Sequence, residues 1–180
     1  KQVGTGHFIG DKDWSGDASL TGDNLDLTIY QGNVTTTGSS DENGLGLFIN
    51  GDNTDLTVTQ GNSTNDQGEH KMIVDIVASN VINLTQYDGG SLTKHFLSLD
   101  LDGGSNTIDV TQRDNGQKTM FLDINNSNND VDLLQKDTGT HYLDITLGGS
   151  QHDVDITQQG SGNHAARVSL AGYATDFDLT

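Results

Sequence analysis

Residues 106–112 read NTIDVTQ, a phrase in which apolar side chains occupy every second position before a closing glutamine. Such strict alternation predicts a β-strand with one buried face. The apolar-x-apolar-x-Gln part of the phrase recurs along the chain, and its copies close on Gln31, Gln60, Gln86, Gln112, Gln135 and Gln158. A further copy ends at Thr180, one residue before the position of its glutamine. Repetition at this period indicates a solenoid.

A second alternating segment precedes these phrases, as in residues 97–101 (LSLDL) and 143–147 (LDITL). Glycine and asparagine fill the stretch between the two segments, for example at residues 102–106 (DGGSN), and both residues favour tight turns. Each unit is therefore long enough for a strand, a turn, a strand and a turn. We expect an all-β fold, a β-solenoid of about seven rungs that form two facing parallel sheets. A meander of hairpins is the alternative, but it requires no glutamine at a fixed position of every unit.

The composition fits a single repeat domain over residues 1–180, with rungs that end near the six glutamines and near Thr180. Hydrophobic residues make up only 31% of the chain, which is little for one round core. Stacked repeats need less apolar material, because each unit buries its inner face against its neighbours. The chain has no proline, which suits continuous strand ladders, and no cysteine, which excludes disulfides and thiolate metal sites.

The net charge of −18 limits the classes of partner that the chain can bind. Acidic residues number 26 against 8 lysines and arginines, so we expect neither nucleic acid nor an anionic membrane surface as a partner. No apolar run reaches the length of a transmembrane segment, so we expect no membrane insertion, and the start at Lys1 shows no signal-peptide pattern. Carboxylate pairs recur in every unit, whereas a catalytic pair should occur once. We therefore expect that the protein is not an enzyme.

The recurring glutamine has a physical explanation in a stack of rungs. A buried amide is costly unless it is hydrogen-bonded, and stacked glutamines can bond the copies above and below them. We expect the six glutamines to form such an inward ladder, with a partial asparagine column at the start of the same strand, formed by Asn80, Asn106 and Asn129. The alternative is that glutamine marks only a polar strand end.

The sequence resembles the curlin repeat of bacterial curli fibres. Residues 106–112 look like half of a curlin repeat, and residues 158–165 (QQGSGNHA) are similar to the Gln-x-Gly-x-x-Asn-x-Ala pattern of that family. The first strand of each unit departs from the family, because it ends in an apolar residue such as Leu101 or Leu147 where curlin repeats carry a second glutamine. The resemblance implies a secreted, extracellular or cell-surface subunit of an amyloid-like fibre, with a role in biofilm matrix, adhesion or a surface appendage.

Two further columns are candidates for metal binding. One lies just before the first strand, where Zn or Cu could bridge neighbouring rungs; it also contains Lys118, and its histidines are His70, His95, His141 and His164. The alternative is a half-exposed polar column at the strand entrance. The other consists of outward aspartates, which are either solvated or bridged by Ca²⁺, the one cofactor candidate: Asp109, Asp132, Asp155 and Asp178.

These features favour a self-assembling fibre subunit that polymerises head to tail with itself. Lys1 to His7 after Thr180 would parallel Gln158 to His164 after Thr157, so one copy could continue the register of another. Divalent cations or extracellular matrix components are the other expected partners. The alternative functions are a monomeric solenoid that binds ice or a glycan, and a segment of a trimeric phage fibre or tailspike.

Overall fold

The computed structural model describes residues 7–10, 18–32, 42–61, 69–77, 80–88, 94–172 and 176–180. Throughout these residues the regular secondary structure is β-strand, and none of them forms a helix that could span a membrane. The strands in chain order are β1 (His7–Ile9), β2 (Ala18–Thr21), β3 (Asp26–Gln31), β4 (Glu42–Asn50), β5 (Thr54–Gln60), β6 (Glu69–Val77), β7 (Asn80–Asp88), β8 (Lys94–Asp102), β9 (Thr107–Asp114), β10 (Gln117–Ile124), β11 (Asp130–Lys136), β12 (His141–Leu147), β13 (Asp153–Gln159), β14 (His164–Leu170) and β15 (Asp176–Leu179).

The strands form two sheets in which every pairing is parallel. The first sheet has the order β1-β4-β6-β8-β10-β12-β14, with β2 also on β4, and the second has the order β15-β13-β11-β9-β7-β5-β3. The chain therefore alternates between the sheets and advances one position in each sheet per repeat. This is the β-solenoid that the alternation and the repeat predict, and the fold-class prediction is confirmed.

The register keeps equivalent residues of successive units opposite each other. Gln86 of β7 lies opposite Gln60 of β5 on one side and Gln112 of β9 on the other. The shortening of the repeat from 29 to 23 residues therefore leaves the strand pairing unshifted. Side chains thus line up in columns along the solenoid axis, and each column repeats at about the 4.8 Å spacing of paired strands.

The first rung departs from the regular pattern. In the first sheet, β1 pairs with the part of β4 that ends at Leu45, and β2 pairs with the part that begins at Leu47. Two short strands thus occupy the place that one strand fills in later rungs. The sequence phrases did not predict this division, because the repeat is weakest near the start of the chain.

The core is the space between the two sheets. In β8 the inward residues Leu97, Leu99 and Leu101 are buried, and they face the second sheet, where Ile108 and Val110 are buried equally. Outward neighbours such as Asp100 and Asp109 are exposed. Burial of apolar area at about 25 cal/mol per Å² makes these columns the main source of stability.

Glycine allows the rungs to approach closely at one turn. Gly139 has φ +126°, and a Cβ placed there would lie 1.9 Å from the carbonyl oxygen of Gly116 in the preceding rung. No larger residue fits without movement of the backbone, so this turn fixes how closely consecutive rungs stack.

Candidate functional site

The six predicted glutamines form one amide ladder inside the solenoid. From Gln60 onward, each Nε2 donates to the Oε1 of the glutamine one rung earlier, at 2.8 Å from Gln86 to Gln60 and 2.9 Å from Gln135 to Gln112. The ladder runs without a break through the whole column, which contains Gln31, Gln60, Gln86, Gln112, Gln135 and Gln158. All six lie together as expected, so the alternative of a merely polar strand end does not describe them.

Each of these amides also has a second bond that the sequence did not predict. Nε2 of Gln112 donates to the backbone oxygen of Thr119 at 3.0 Å, and Nε2 of Gln135 donates to that of Tyr142 at 3.0 Å. The acceptor oxygen lies in a strand of the first sheet, whereas the glutamine lies near the end of a strand of the second sheet. The amide therefore joins successive rungs and also joins the two sheets, with both of its hydrogens in use.

The asparagine column bonds to the backbone. The Oδ1 atoms of Asn80, Asn106 and Asn129 accept from backbone N–H groups one rung earlier, at 2.8, 2.9 and 3.0 Å. These bonds satisfy buried backbone N–H groups at the point where the chain enters the second sheet. His152 continues the column, with Nδ1 3.2 Å from Nδ2 of Asn129. The column predicted from the sequence did not include this histidine, although its spacing of 23 residues from Asn129 is the signal that indicates it.

The histidine column lies in the first sheet. The pairing places His70, His95, Lys118, His141 and His164 opposite one another in sequence. Neighbouring imidazoles stack, with ring centroids 5.3 Å apart for His70 and His95 and 4.4 Å apart for His141 and His164. His70, His95 and His141 are buried, and only His164 in the last rung is exposed. The alternative of a half-exposed polar column is therefore wrong at these three positions, which lie in the interior.

Lys118 brings a buried ammonium group into this column. Its Nζ donates to the backbone oxygens of Asp114 at 2.6 Å and Thr138 at 3.1 Å, and to that of Gly116 at 3.3 Å. A buried cation must be solvated by the protein, and carbonyl oxygens perform that role here. The sequence placed Lys118 in the column but contained no signal for these acceptors, which come from turns of two consecutive rungs.

Burial and the ammonium group together keep the neighbouring imidazoles neutral. Burial, followed by the charges of Lys118 and His164, lowers the pKa of His141 to about 4. Burial also holds the pKa of His95 well below its usual value, with His70 and Lys118 as the next causes. The imidazoles of His95 and His141 are therefore neutral at neutral pH.

The geometry of the stacked imidazoles bears on the metal hypothesis. The rings of His70 and His95 stack face to face, with their planes 17° apart, whereas a metal binds an imidazole nitrogen in the plane of its ring. Among the described residues, no three His, Cys, Asp or Glu side chains converge on a point that could hold a metal. Binding of Zn or Cu by His70, His95, His141 and His164 stays a prediction.

The outward aspartates also form the column that the sequence predicts. Asp109, Asp132, Asp155 and Asp178 lie opposite one another on the second sheet, and all are exposed. Partial burial raises the pKa of Asp132, and the charges of Asp130 and Asp155 raise it further. The column therefore carries unrelieved like-charge repulsion, and its binding of Ca²⁺ stays a prediction.

The last rung presents to solvent a surface that every earlier rung covers. Leu170 of β14 is 46% exposed, whereas Leu147, its partner in β12, is fully buried. In the second sheet Leu179 is 50% exposed and its partner Ile156 is 2% exposed. All four side chains are aliphatic, so the difference in exposure arises from the position of β14 and β15 at the end of their sheets.

Comparisons with protein-family models, with curated proteins and with solved structures find no significant match to this chain. The resemblance to the curlin repeat therefore stays a prediction from the sequence, and the assignment of function depends on the fold and on its columns.

Proposed function

We propose that this chain is the subunit of a homopolymeric fibre in which copies stack rung upon rung, head to tail. The observation that carries the proposal is the unshifted stacking of the rungs, in which the amide ladder repeats from Gln31 to Gln158. Strands β14 and β15 keep the inward pattern of the interior rungs, and one more rung of the same kind would cover their apolar side chains. An uncovered parallel edge is a template for such pairing.

The first rung lies at the opposite end of the stack. Its strands β1 to β3 are parallel to the rest and carry the same columns, including Leu27, Ile29 and Gln31. A copy placed with this rung on β14 and β15 would continue the parallel pairing and the register of both sheets. The last rung would separate Gln158 from Gln31, so the amide ladder would not pass directly between the copies. A contact between two different surfaces of one molecule does not close on itself, so it generates filaments.

The wider role follows from the curlin resemblance and forms part of the proposal. A secreted fibre of this kind would serve as biofilm matrix, as an adhesive or as a surface appendage, without catalysis. The charge of −18 opposes close stacking of copies, so assembly should become more favourable as salt screens the repulsion.

A pair of variants on β14 tests the proposal. Val168 points toward the core and Ser169 points outward in the same strand. Val168→Asp should prevent fibre formation while the interior rungs remain folded, whereas Ser169→Asp, which adds the same charge, should still assemble. Electron microscopy and sedimentation report the fibres, and circular dichroism reports the fold. Equal assembly of both variants, or a monomeric wild-type protein at all salt concentrations, would contradict the proposal.

A further inference from the structure

An aromatic cluster lies on the outward face of the first sheet, away from the amide ladder. Phe121 of β10 lies between Phe96 of β8 and Tyr142 of β12, with ring centroids at 5.7 and 5.8 Å and ring planes tilted by 46° and 58°. Phe121 is 37% exposed. Nζ of Lys71 lies 5.6 Å from the centroid of the Phe96 ring, so one end of the cluster already accepts a cation. We call these three rings the aromatic face.

A shallow depression of about 450 Å³ adjoins the aromatic face. Phe121 forms one side of it, Asp100 and Asp123 line it with their carboxylates, and Thr146 and Ser169 add hydroxyl groups. Asp144 also lines it and is bound at 3.3 Å by both Arg167 and the hydroxyl of Tyr142. The depression thus combines an apolar ring with several acceptors and donors in one open surface.

Two carboxylates of this surface, those of Asp100 and Asp123, repel each other along the sheet. Asp100 lies between Asp75 and Asp123 in register, so three like charges follow one another at rung spacing. Within the described part of the chain, neither Asp100 nor Asp123 forms an ion pair with a lysine or arginine. Partial burial raises the pKa of Asp100, and the charges of Asp102, Asp75 and Asp123 raise it further. A cationic ligand would relieve this repulsion.

We propose that the aromatic face and its depression bind a polysaccharide that carries protonated amino groups. An ammonium group attached to a sugar ring can lie over Phe121 while the carboxylates of Asp100 and Asp123 accept its hydrogen bonds. The hydroxyl groups of the sugar pair with Thr146, Ser169 and the same carboxylates. Because the rungs repeat along the solenoid axis, a repeating polymer suits this surface better than a single small ligand.

A basic peptide is the competing ligand, and the geometry disfavours it. Extended peptides usually bind a sheet at its edge, where unpaired backbone groups give main-chain hydrogen bonds. The aromatic face lies on β8, β10 and β12, whose backbones pair with strands on both sides. A peptide there would leave its own backbone without partners in the protein, whereas an amino sugar polymer carries its polar groups on the rings.

Calorimetric titration with a short, fully deacetylated glucosamine oligosaccharide tests the inference. Phe121→Ser should weaken binding about tenfold, since a cation–π contact contributes roughly 1–2 kcal/mol. Serine is native to this column at Ser98, so the fold should be kept, as thermal melting can verify. The double variant Asp100→Asn with Asp123→Asn should weaken binding by at least as much.

The matched control moves the same loss of charge to the other sheet, with Asp132→Asn and Asp155→Asn. Binding should be almost unchanged in this variant, and the N-acetylated oligosaccharide should bind the wild-type protein much more weakly than the deacetylated one. Equal weakening by the two double variants would show attraction to net charge alone and would overturn the inference. Equal binding of the acetylated oligosaccharide, or tighter Phe121-dependent binding of oligolysine, would overturn it as well.

Discussion

Gln112 shows how one side chain can bond to the neighbouring rungs along the solenoid axis and also to the opposite sheet. Its Nε2 donates to Oε1 of Gln86 at 2.8 Å and to the backbone oxygen of Thr119 at 3.0 Å, and its own Oε1 accepts from Gln135. A leucine would match the volume but leave partners on both sides unsatisfied. A glutamate would have the right shape, but its carboxylate donates no hydrogen bond and faces two oxygens.

Substitutions at Gln112 should therefore follow a definite order. We expect Gln112→Leu to lower the free energy of unfolding by about 1–3 kcal/mol, because it leaves buried groups unpaired. Gln112→Glu should lower it by about 3–5 kcal/mol, because it also buries a charge. Urea unfolding measures both, and Thr107→Glu, an exposed site in the same strand, is the control, with an expected effect within about 0.5 kcal/mol. Wild-type stability of Gln112→Glu would mean that the ladder is not structural.

The buried imidazoles make stability depend on pH. The pKa of His141 is about 4 in the folded state against 6.5 in the unfolded chain, so the unfolded state binds more protons as the pH falls. The contribution of His141 is complete above pH 6.5 and is lost as the pH falls toward 4, and His95 acts in the same direction. The raised pKa values of Asp100 and Asp132 act in the opposite direction, nearer pH 4.

A comparison of pH 7 with pH 5 should isolate the histidines. We expect the wild-type protein to lose roughly 1–2 kcal/mol through His141 over this interval. Asn43 occupies the same column, with Nδ2 3.2 Å from Nδ1 of His70, so asparagine is a suitable replacement. His141→Asn should therefore reduce the loss, as measured by urea unfolding at the two pH values. The same loss in the variant would show that His141 is not the titrating group.

At the scale of elements, alternation and the glutamine phrase were enough to predict the strands, the parallel register and the inward columns. Two features needed the structure. The rings of the aromatic face lie in two neighbouring columns, because Phe96 is opposite Thr119 and Phe121 is opposite Ser98, so no single repeat position reveals them. The acceptors of Lys118 are backbone atoms of turns, which a residue pattern does not locate.

The aspartate column on β9, β11, β13 and β15 sets up a test of cation binding. Because like charges repel at rung spacing, Asp132→Asn with Asp155→Asn should stabilise the protein at low salt by about 0.5–1 kcal/mol. If Ca²⁺ bridges the column, CaCl₂ should raise the melting temperature of the wild-type protein more than NaCl at the same ionic strength, and this excess should disappear in the double variant. Identical melting in the two salts would leave solvation as the explanation and contradict the calcium prediction.

The turn at Gly139 should be one of the least tolerant positions. Gly139→Ala brings a Cβ to 1.9 Å from the backbone oxygen of Gly116 and requires φ +126° of an alanine. We expect a loss of about 2–4 kcal/mol in urea unfolding, because strain and backbone displacement combine. Thr140→Ala, at the exposed neighbouring position, should cost much less. Equal effects of the two substitutions would mean that the turn can move apart without cost.

At the scale of the whole molecule, the repeat predicts the architecture, whereas the proposed function depends on whether a second copy covers the end of the stack of rungs. The apolar columns run through successive rungs in one register, and the apolar side chains of β14 and β15 are exposed at the end of their sheets. Rung-on-rung assembly is the central proposal, since a further rung in the same register would cover this end.

Cryo-electron microscopy of the assembled protein tests this claim most directly. We predict strands perpendicular to the fibre axis, a subunit repeat of about 34 Å from seven rungs at about 4.8 Å each, and β14 of one copy paired in parallel with β1 and β2 of the next. β15 of the same copy should pair in parallel with β3 of the next. Copies joined side by side through their sheet faces, or stacked with their axes reversed, would contradict the account.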